Sequence, residues 1–122
     1  MTRSRASAKT AGTRFESLIA GAFAKYIDAR IERRTRTGAK DRGDIAGLRT
    51  QLGDRIIAEC KDYGGRVQVG PWLDEAETER INDDAAIGIV IFKRRGITDP
   101  LQQGVLMTVD NLITLLLAGD RP

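Results

Sequence analysis

The sequence predicts a single α/β domain in which helices pack on a mixed β-sheet of about five strands. The chain has 122 residues, a typical length for one domain. Apolar residues near the N-terminus recur at helical spacing, whereas residues 87–93 (IGIVIFK) form a nearly continuous apolar run typical of a central strand. The elements are predicted in the order α-β-β-β-α-β-β-α, with residues 13–119 forming the domain.

The first predicted element is an amphipathic helix over residues 13–29, whose apolar side chains share one face. Thr13 and Glu16 have the spacing of a capping box, in which each side chain bonds the other residue's backbone N–H at the helix start. Residues 1–12 precede this helix and are basic and rich in small and polar side chains. We therefore expect them to form a disordered arm.

Three strands, a loop and a hairpin turn are predicted next. Residues 30–36 have a strand-like pattern with few apolar side chains, as in an exposed edge strand, and residues 37–43 are predicted as a loop. Residues 45–48 and 55–61 are predicted as strands, with a hairpin turn at Gly53 between them. The second of these strands has alternating faces.

The second half of the domain is predicted as helix, strand, strand, helix. A helix runs from Pro71, a residue suited to a first turn, to about Asp84. The central strand over residues 87–93 follows, and residues 105–109 are predicted as the last strand. Asp110 then caps a helix over residues 111–118.

Composition excludes several kinds of site. The chain has no histidine and one cysteine, Cys60, which excludes the usual zinc sites, histidine-based triads and disulfide scaffolds. No apolar run approaches the roughly 18 residues of a membrane-spanning helix, and the N-terminus lacks the apolar core of a signal peptide. We therefore expect a soluble protein of the cytoplasm, associated with the nucleoid or acting in a phage-infected host, with no membrane partner.

The charge pattern predicts a polyanionic partner. Lys plus Arg number 20 against 17 for Asp plus Glu, a net charge of +3, and 15 of the 20 bases are arginine, whose planar guanidinium matches phosphate. Bases concentrate in residues 1–14 and 30–42, and acids in residues 74–84. Nucleic acid is the leading candidate, and an ordinary solvated surface is the alternative. The predicted phosphate contacts are Arg33, Arg34, Arg36, Lys40 and Arg42.

Three residues around the third strand suggest metal-dependent chemistry. Glu59 and Lys61 are two residues apart, so a strand places both on one face and Cys60 on the other. If the neighbouring strands pair, Asp44 can sit beside Glu59, and two close carboxylates repel each other unless a cation lies between them. Such hard oxygen ligands suit Mg²⁺, for which Mn²⁺ substitutes, and the backbone carbonyl of Cys60 could supply a further ligand.

A metal bound there would support hydrolysis of a phosphodiester. It polarises the phosphoryl oxygen and lowers the pKa of bound water, which yields a nucleophile at neutral pH. Lys61 could orient that water or stabilise the negative charge that develops on the phosphate. No nucleotide cofactor is expected.

These residues carry a resemblance to a known family. A helical Glu16, Asp44 at the opening of a strand, and Glu59-Cys60-Lys61 in the next strand resemble the PD-(D/E)xK nuclease superfamily. The similarity is closest to the archaeal-type Holliday junction resolvases and covers roughly residues 9–117, the loop before Asp44 included. The family's Pro-Asp is Gly-Asp in this chain.

The resemblance implies a restriction-endonuclease-like fold and a homodimer that cuts branched DNA, the four-way junction, symmetrically with Mg²⁺. Carried over, Asp44 and Glu59 are metal ligands, Lys61 is the catalytic lysine and Glu16 is an accessory acid near the metal. Thr35 and Thr37 are the counterparts of a serine often found before the Asp in the family, and Thr37 joins the predicted DNA contacts.

Simpler interpretations remain open for the same residues. Glu16 could only cap its helix, and Asp44 could be a turn residue that leads into a hairpin. Glu59 and Lys61 could form a solvent-exposed ion pair of under about 1 kcal/mol. Arg33, Arg34 and Arg36 could simply protect an exposed edge strand from aggregation. The chain could also be a flap, mismatch or restriction-type nuclease, or a DNA-binding module without catalysis.

Overall fold

The computed structural model describes residues 3–34 and 43–117, and within them it has the α/β architecture with a mixed sheet that the sequence predicts. Most of the predicted loop over residues 37–43 and the chain after residue 117 lie outside the described residues. A short 3₁₀ turn (Pro100–Gln102) precedes the last strand. The regular elements are α1 (Arg5–Tyr26), β1 (Glu32–Arg33), β2 (Ile45–Ala46), β3 (Ile56–Lys61), α2 (Val69–Asn82), β4 (Ile87–Phe92), β5 (Gly104–Leu106) and α3 (Val109–Leu116).

A three-stranded mixed sheet forms the centre of the domain. β3 and β4 pair in parallel, with Ile56 opposite Ile87, and α2 crosses between them. β4 also pairs in antiparallel fashion with β5, where Ile91 faces Val105. The prediction that the apolar run is a central strand is therefore confirmed. Its buried residues include Ile87, Val90 and Ile91.

A second, two-stranded ladder lies along the free edge of β3. β1 and β2 pair in antiparallel fashion, and the chain after β2 returns to β3 through the predicted hairpin turn. Gly53 occupies this turn with φ of 94°, a backbone region that suits glycine, and its N–H donates to the Thr50 carbonyl at 3.0 Å. The Ile56 N–H donates to the Leu48 carbonyl at 2.9 Å and starts the contact between the ladder and β3.

Helices cover both faces of the sheet. On one face, Phe15 and Ile19 of α1 pack in a core cluster with Ala58 and Cys60 of β3. On the other face, Trp72 and Ala76 of α2 pack against Val90 of β4. Since side chains alternate along a strand, Glu59 and Lys61 of β3 face α2.

The structure differs from the prediction at the N-terminus. α1 begins at Arg5, and the Ser4 hydroxyl caps it by accepting the Ser7 N–H at 3.1 Å. The expected disordered arm over residues 1–12 is therefore wrong from Arg5 onward, because a cap and several alanines favour a helix without any buried face. The capping box is also wrong, since Glu16 lies in the middle of α1.

The last helix begins earlier than predicted. The Thr108 hydroxyl, and not Asp110, caps α3 by accepting the Asn111 N–H at 3.1 Å. Asp110 lies instead in the first turn, where the helix dipole favours an acid. In the part of the chain that the structure describes, no helix has the length and apolar character needed to cross a membrane.

Gly88 of β4 allows α2 to approach the sheet. A Cβ at this position would lie 2.8 Å from the Ala76 carbonyl oxygen, which belongs to rigid helix backbone. We expect Gly88→Ala to lower the free energy of unfolding by about 1–3 kcal/mol, because α2 must move away. Gly21→Ala is the control: its Cβ meets nothing within 4 Å, so the helix should gain about 0.5–1 kcal/mol. Urea unfolding measures both, and equal stabilities would contradict this role of Gly88.

Candidate functional site

Asp44 lies directly against β3. Its backbone N–H donates to the Ala58 carbonyl at 2.9 Å, and its side-chain Oδ2 accepts the Cys60 N–H at 2.8 Å. Asp44 is 5% exposed. Gly43 makes this approach possible, because it has φ of 84° and a Cβ there would lie 3.3 Å from the Ala58 carbonyl oxygen. Asp44 therefore contacts the third strand at Ala58 and Cys60, and its predicted position beside Glu59 stays a prediction.

The same edge of β3 carries the backbone carbonyl of Cys60. Residues 58 and 60 direct their backbone groups toward Asp44, because the N–H and C=O groups of alternate strand residues point to the same side. Lys61 points the other way, and its carbonyl accepts the Lys93 N–H at 2.9 Å. The Asp44 carboxylate and the Cys60 carbonyl oxygen therefore lie on the same edge of β3.

Glu59 occupies the α2 face of β3 with two glutamates from the helix. Glu59 is 2% exposed and Glu79 is 4% exposed. In the described ranges, Glu59, Glu75 and Glu79 are the acids that each offer one carboxylate oxygen within 4.8 Å of the others. Glu75 and Glu79 are not among the predicted site residues, although their spacing of four residues places them on one helix face.

Lys61 lies on the same face as Glu59 and is held by Glu75. Its Nζ donates to the two carboxylate oxygens of Glu75 at 2.9 and 3.0 Å. Burial acts to lower the pKa of Lys61, but the hydrogen bond to Glu75 and the charges of Glu75 and Glu59 outweigh it, so this pKa is raised. Lys61 is therefore an ammonium group at neutral pH, which can stabilise negative charge and cannot serve as a base.

The buried thiol of Cys60 lies among three of the predicted acids. Burial raises its pKa, and the negative charges of Asp44, Glu16 and Glu59 raise it further. All three acids are thus close enough to Cys60 to act on its charge state. Glu16 reaches this region from α1 and accepts a hydrogen bond from the Arg33 Nε at 2.8 Å.

The donor set fits a hard divalent cation. Asp44 and Glu59 are buried carboxylates, and the carbonyl of Cys60 faces the same edge as Asp44. Such oxygens are what Mg²⁺ and Mn²⁺ prefer. Glu59 also belongs to the second group of acids, with Glu75 and Glu79, so the ligand set of Asp44, Glu59 and the Cys60 carbonyl stays a prediction.

The predicted DNA contacts divide into two groups. Arg33 and Arg34 lie beside the acids: Arg33 pairs with Glu16, and the Arg34 N–H donates to the Asp44 carbonyl at 2.7 Å. Both side chains are partly buried, so neither belongs to a freely solvated surface. The remaining predicted contacts lie outside the described residues: Arg36, Thr37, Lys40 and Arg42.

No family model, curated protein or solved structure matches the chain. The resemblance to the PD-(D/E)xK nucleases therefore stays a prediction. It depends on four residues, their order and their spacing: Glu16, Asp44, Glu59 and Lys61.

The raised pKa of Cys60 predicts an unreactive thiol. Because the folded state favours the neutral thiol, we expect labelling by Ellman's reagent at pH 8 to be at least about 100-fold slower in the native protein than in urea. Ser17→Cys in a Cys60→Ala background provides an exposed control and should react rapidly while folded. Equal labelling rates for native and unfolded Cys60 would contradict its burial among these acids.

Proposed function

We propose that this chain is a Mg²⁺-dependent endonuclease of the PD-(D/E)xK type that cuts four-way DNA junctions by paired phosphodiester hydrolysis. The observation that carries the proposal is the hydrogen bond from the Cys60 N–H to the Asp44 carboxylate at 2.8 Å. It brings an acid from the start of β2 against the Glu59-Cys60-Lys61 segment. The sheet with helices on both faces is compatible with a restriction-endonuclease-like fold.

Each residue of the site has a role in this proposal. Asp44, Glu59 and the carbonyl of Cys60 would hold the metal. When bound there, Mg²⁺ polarises a phosphoryl oxygen and lowers the pKa of coordinated water. Lys61, kept protonated by its raised pKa, stabilises the charge that develops on the phosphate. Glu16, held by Arg33, is the accessory acid.

DNA binding in this proposal depends on phosphate contacts. The contributing side chains are Arg33, Arg34, Arg36, Thr37, Lys40 and Arg42. Contacts to phosphate carry no base information, so recognition follows the shape of the branched DNA and affinity falls as salt rises. Such an enzyme would act in the cytoplasm, at the nucleoid or in a phage-infected host.

The apolar surface of α3 supports a homodimer. Val109 and Leu116 are 74% and 75% exposed, and Val105 on the neighbouring edge strand is 55% exposed. Large apolar side chains left exposed in this number on one short helix and its preceding strand are typical of an interface. A second copy is the occupant we propose, because paired incisions in a four-way junction require two sites related by a two-fold axis.

A DNA-binding module without catalysis is the second candidate. One observation favours it: Lys61 is engaged by both carboxylate oxygens of Glu75. In this alternative the charged groups on β3 and α2 stabilise the fold as an ion-pair network, and no metal-dependent cleavage follows. The assay below separates the two candidates.

Substitution of the proposed ligands should abolish cleavage and preserve binding. We expect Asp44→Asn and Glu59→Gln to lower the cleavage rate of a labelled four-way junction by at least about 100-fold. Junction affinity measured in EDTA should stay within about threefold of the parent, because the phosphate-binding arginines are intact. Asp74→Asn, an exposed acid on α2, is the matched control and should cut at the parent rate.

The substrate comparison decides among the candidates. Four-way, flap and duplex DNA are each incubated with Mg²⁺ or with EDTA, and symmetric nicks confined to the junction with Mg²⁺ are the expected result. Cutting of flaps or duplex alone would contradict the junction specificity. Binding without cutting would favour the DNA-binding module, and parental cleavage by either ligand variant would refute the site.

The proposed dimer is tested on α3. Leu116→Lys should weaken self-association at least about tenfold, because a charge would enter an apolar interface. Leu52→Lys, at a residue 70% exposed in the turn before β3, is the control and should leave the mass unchanged. Light scattering coupled to size-exclusion chromatography measures both masses. A monomeric parent protein, or a dimeric Leu116→Lys variant, would refute this interface.

A further inference from the structure

A small cavity lies at the opposite end of β3 from the candidate metal site. It has a volume of about 130 Å³ and is lined by Arg34, Arg49, Arg55 and Asp83 together with β2 and the start of β3. Arg55 directly precedes β3, whereas Cys60 is near its other end. Five residues of extended chain separate them by about 16 Å. Arg34 connects the two places, because its N–H donates to the Asp44 carbonyl and the residue also lines the cavity.

Three arginines line the cavity, and two of them lie opposite each other. Arg49 and Arg55 face each other in an antiparallel bridge, and like charges directly opposite each other destabilise a sheet. Arg55 Nη1 is 3.4 Å from the Asp83 carboxylate, and Arg49 Nη1 donates to the Gly53 carbonyl at 2.8 Å. Among the described residues that line the cavity, Asp83 is the one acid beside three arginines.

The side chain of Arg34 carries a hydrogen-bond donor, Nε, that has no acceptor among the described residues. This nitrogen atom is buried. A buried donor left without an acceptor is costly, and a charged one more so. An anion in the cavity would accept this hydrogen bond and reduce the repulsion among the three arginines.

We propose that the cavity formed by Arg34, Arg49 and Arg55 binds a phosphate group. Guanidinium groups donate paired hydrogen bonds that match the oxygens of phosphate, and the cavity is large enough for one such group. The phosphate can belong to a nucleic-acid strand or be free in solution, and the experiment separates these sources. The inference does not depend on cleavage, because the acids around Cys60 take no part in it.

The proposal is tested by following the NMR signal of the Arg34 Nε–H group. Protein labelled with ¹⁵N at the arginine Nε atoms is titrated in EDTA with inorganic phosphate, and separately with a short DNA duplex. We expect the Nε–H resonance of Arg34 to shift in a saturable way with at least one probe. Arg49→Gln should weaken that binding about tenfold, because it removes one charged donor. Arg14→Gln, an exposed arginine of α1, should change it by less than about twofold.

Each outcome has a defined meaning. A shift with DNA alone supports a strand phosphate as the ligand, and a shift with inorganic phosphate alone supports a free anion. No saturable shift with either probe overturns the proposal, and so does an equal loss of affinity in the Arg49→Gln and Arg14→Gln variants. Since Arg49 is exposed, its variant should fold, and an unchanged backbone amide spectrum verifies this. Saturable binding by a protein that does not cut DNA would leave this inference intact while refuting the nuclease.

Discussion

The hydrogen bond between the Asp44 carboxylate and the Cys60 N–H is the contact on which the rest of the site depends. The β1–β2 ladder and the β3–β4–β5 sheet are separate hydrogen-bonded units, and Asp44 connects them with its backbone and its side chain. The same contact sets the position of an acid beside the Glu-x-Lys segment. One residue therefore links the packing of the domain to the proposed chemistry, and Gly43 permits it by keeping a Cβ away from β3.

Burying several acids around one strand requires compensation by positive charge. Buried carboxylates are costly unless they are paired and hydrogen-bonded. Two cations lie among these acids: Arg33 bonds the partly buried Glu16, and Lys61 bonds the exposed Glu75 and interacts with the charge of the buried Glu59. A divalent metal at Asp44 and Glu59 would add to this compensation. The cavity at the start of β3 has the reverse composition, because three arginines and one acid, Asp83, line it.

The sequence predicted strands and turns well where local signals exist, namely apolar runs, alternation and turn residues. β4 and the turn at Gly53 are examples. It failed where local signals were weak or the partner was distant. The first turns of α1 have no buried face and form through a cap and alanines, and the contacts of Glu75 and Glu79 with β3 arise only when α2 packs on the sheet. The engagement of Lys61 by Glu75 could not be read from either segment alone.

The most direct test of the account is the position of a bound metal. Crystals of the protein soaked in Mn²⁺ would show the ion by its anomalous scattering. We expect one peak coordinated by the Asp44 carboxylate, the Glu59 carboxylate and the Cys60 carbonyl oxygen. A peak held by Glu59, Glu75 and Glu79 without Asp44, or no peak at β3, would contradict it.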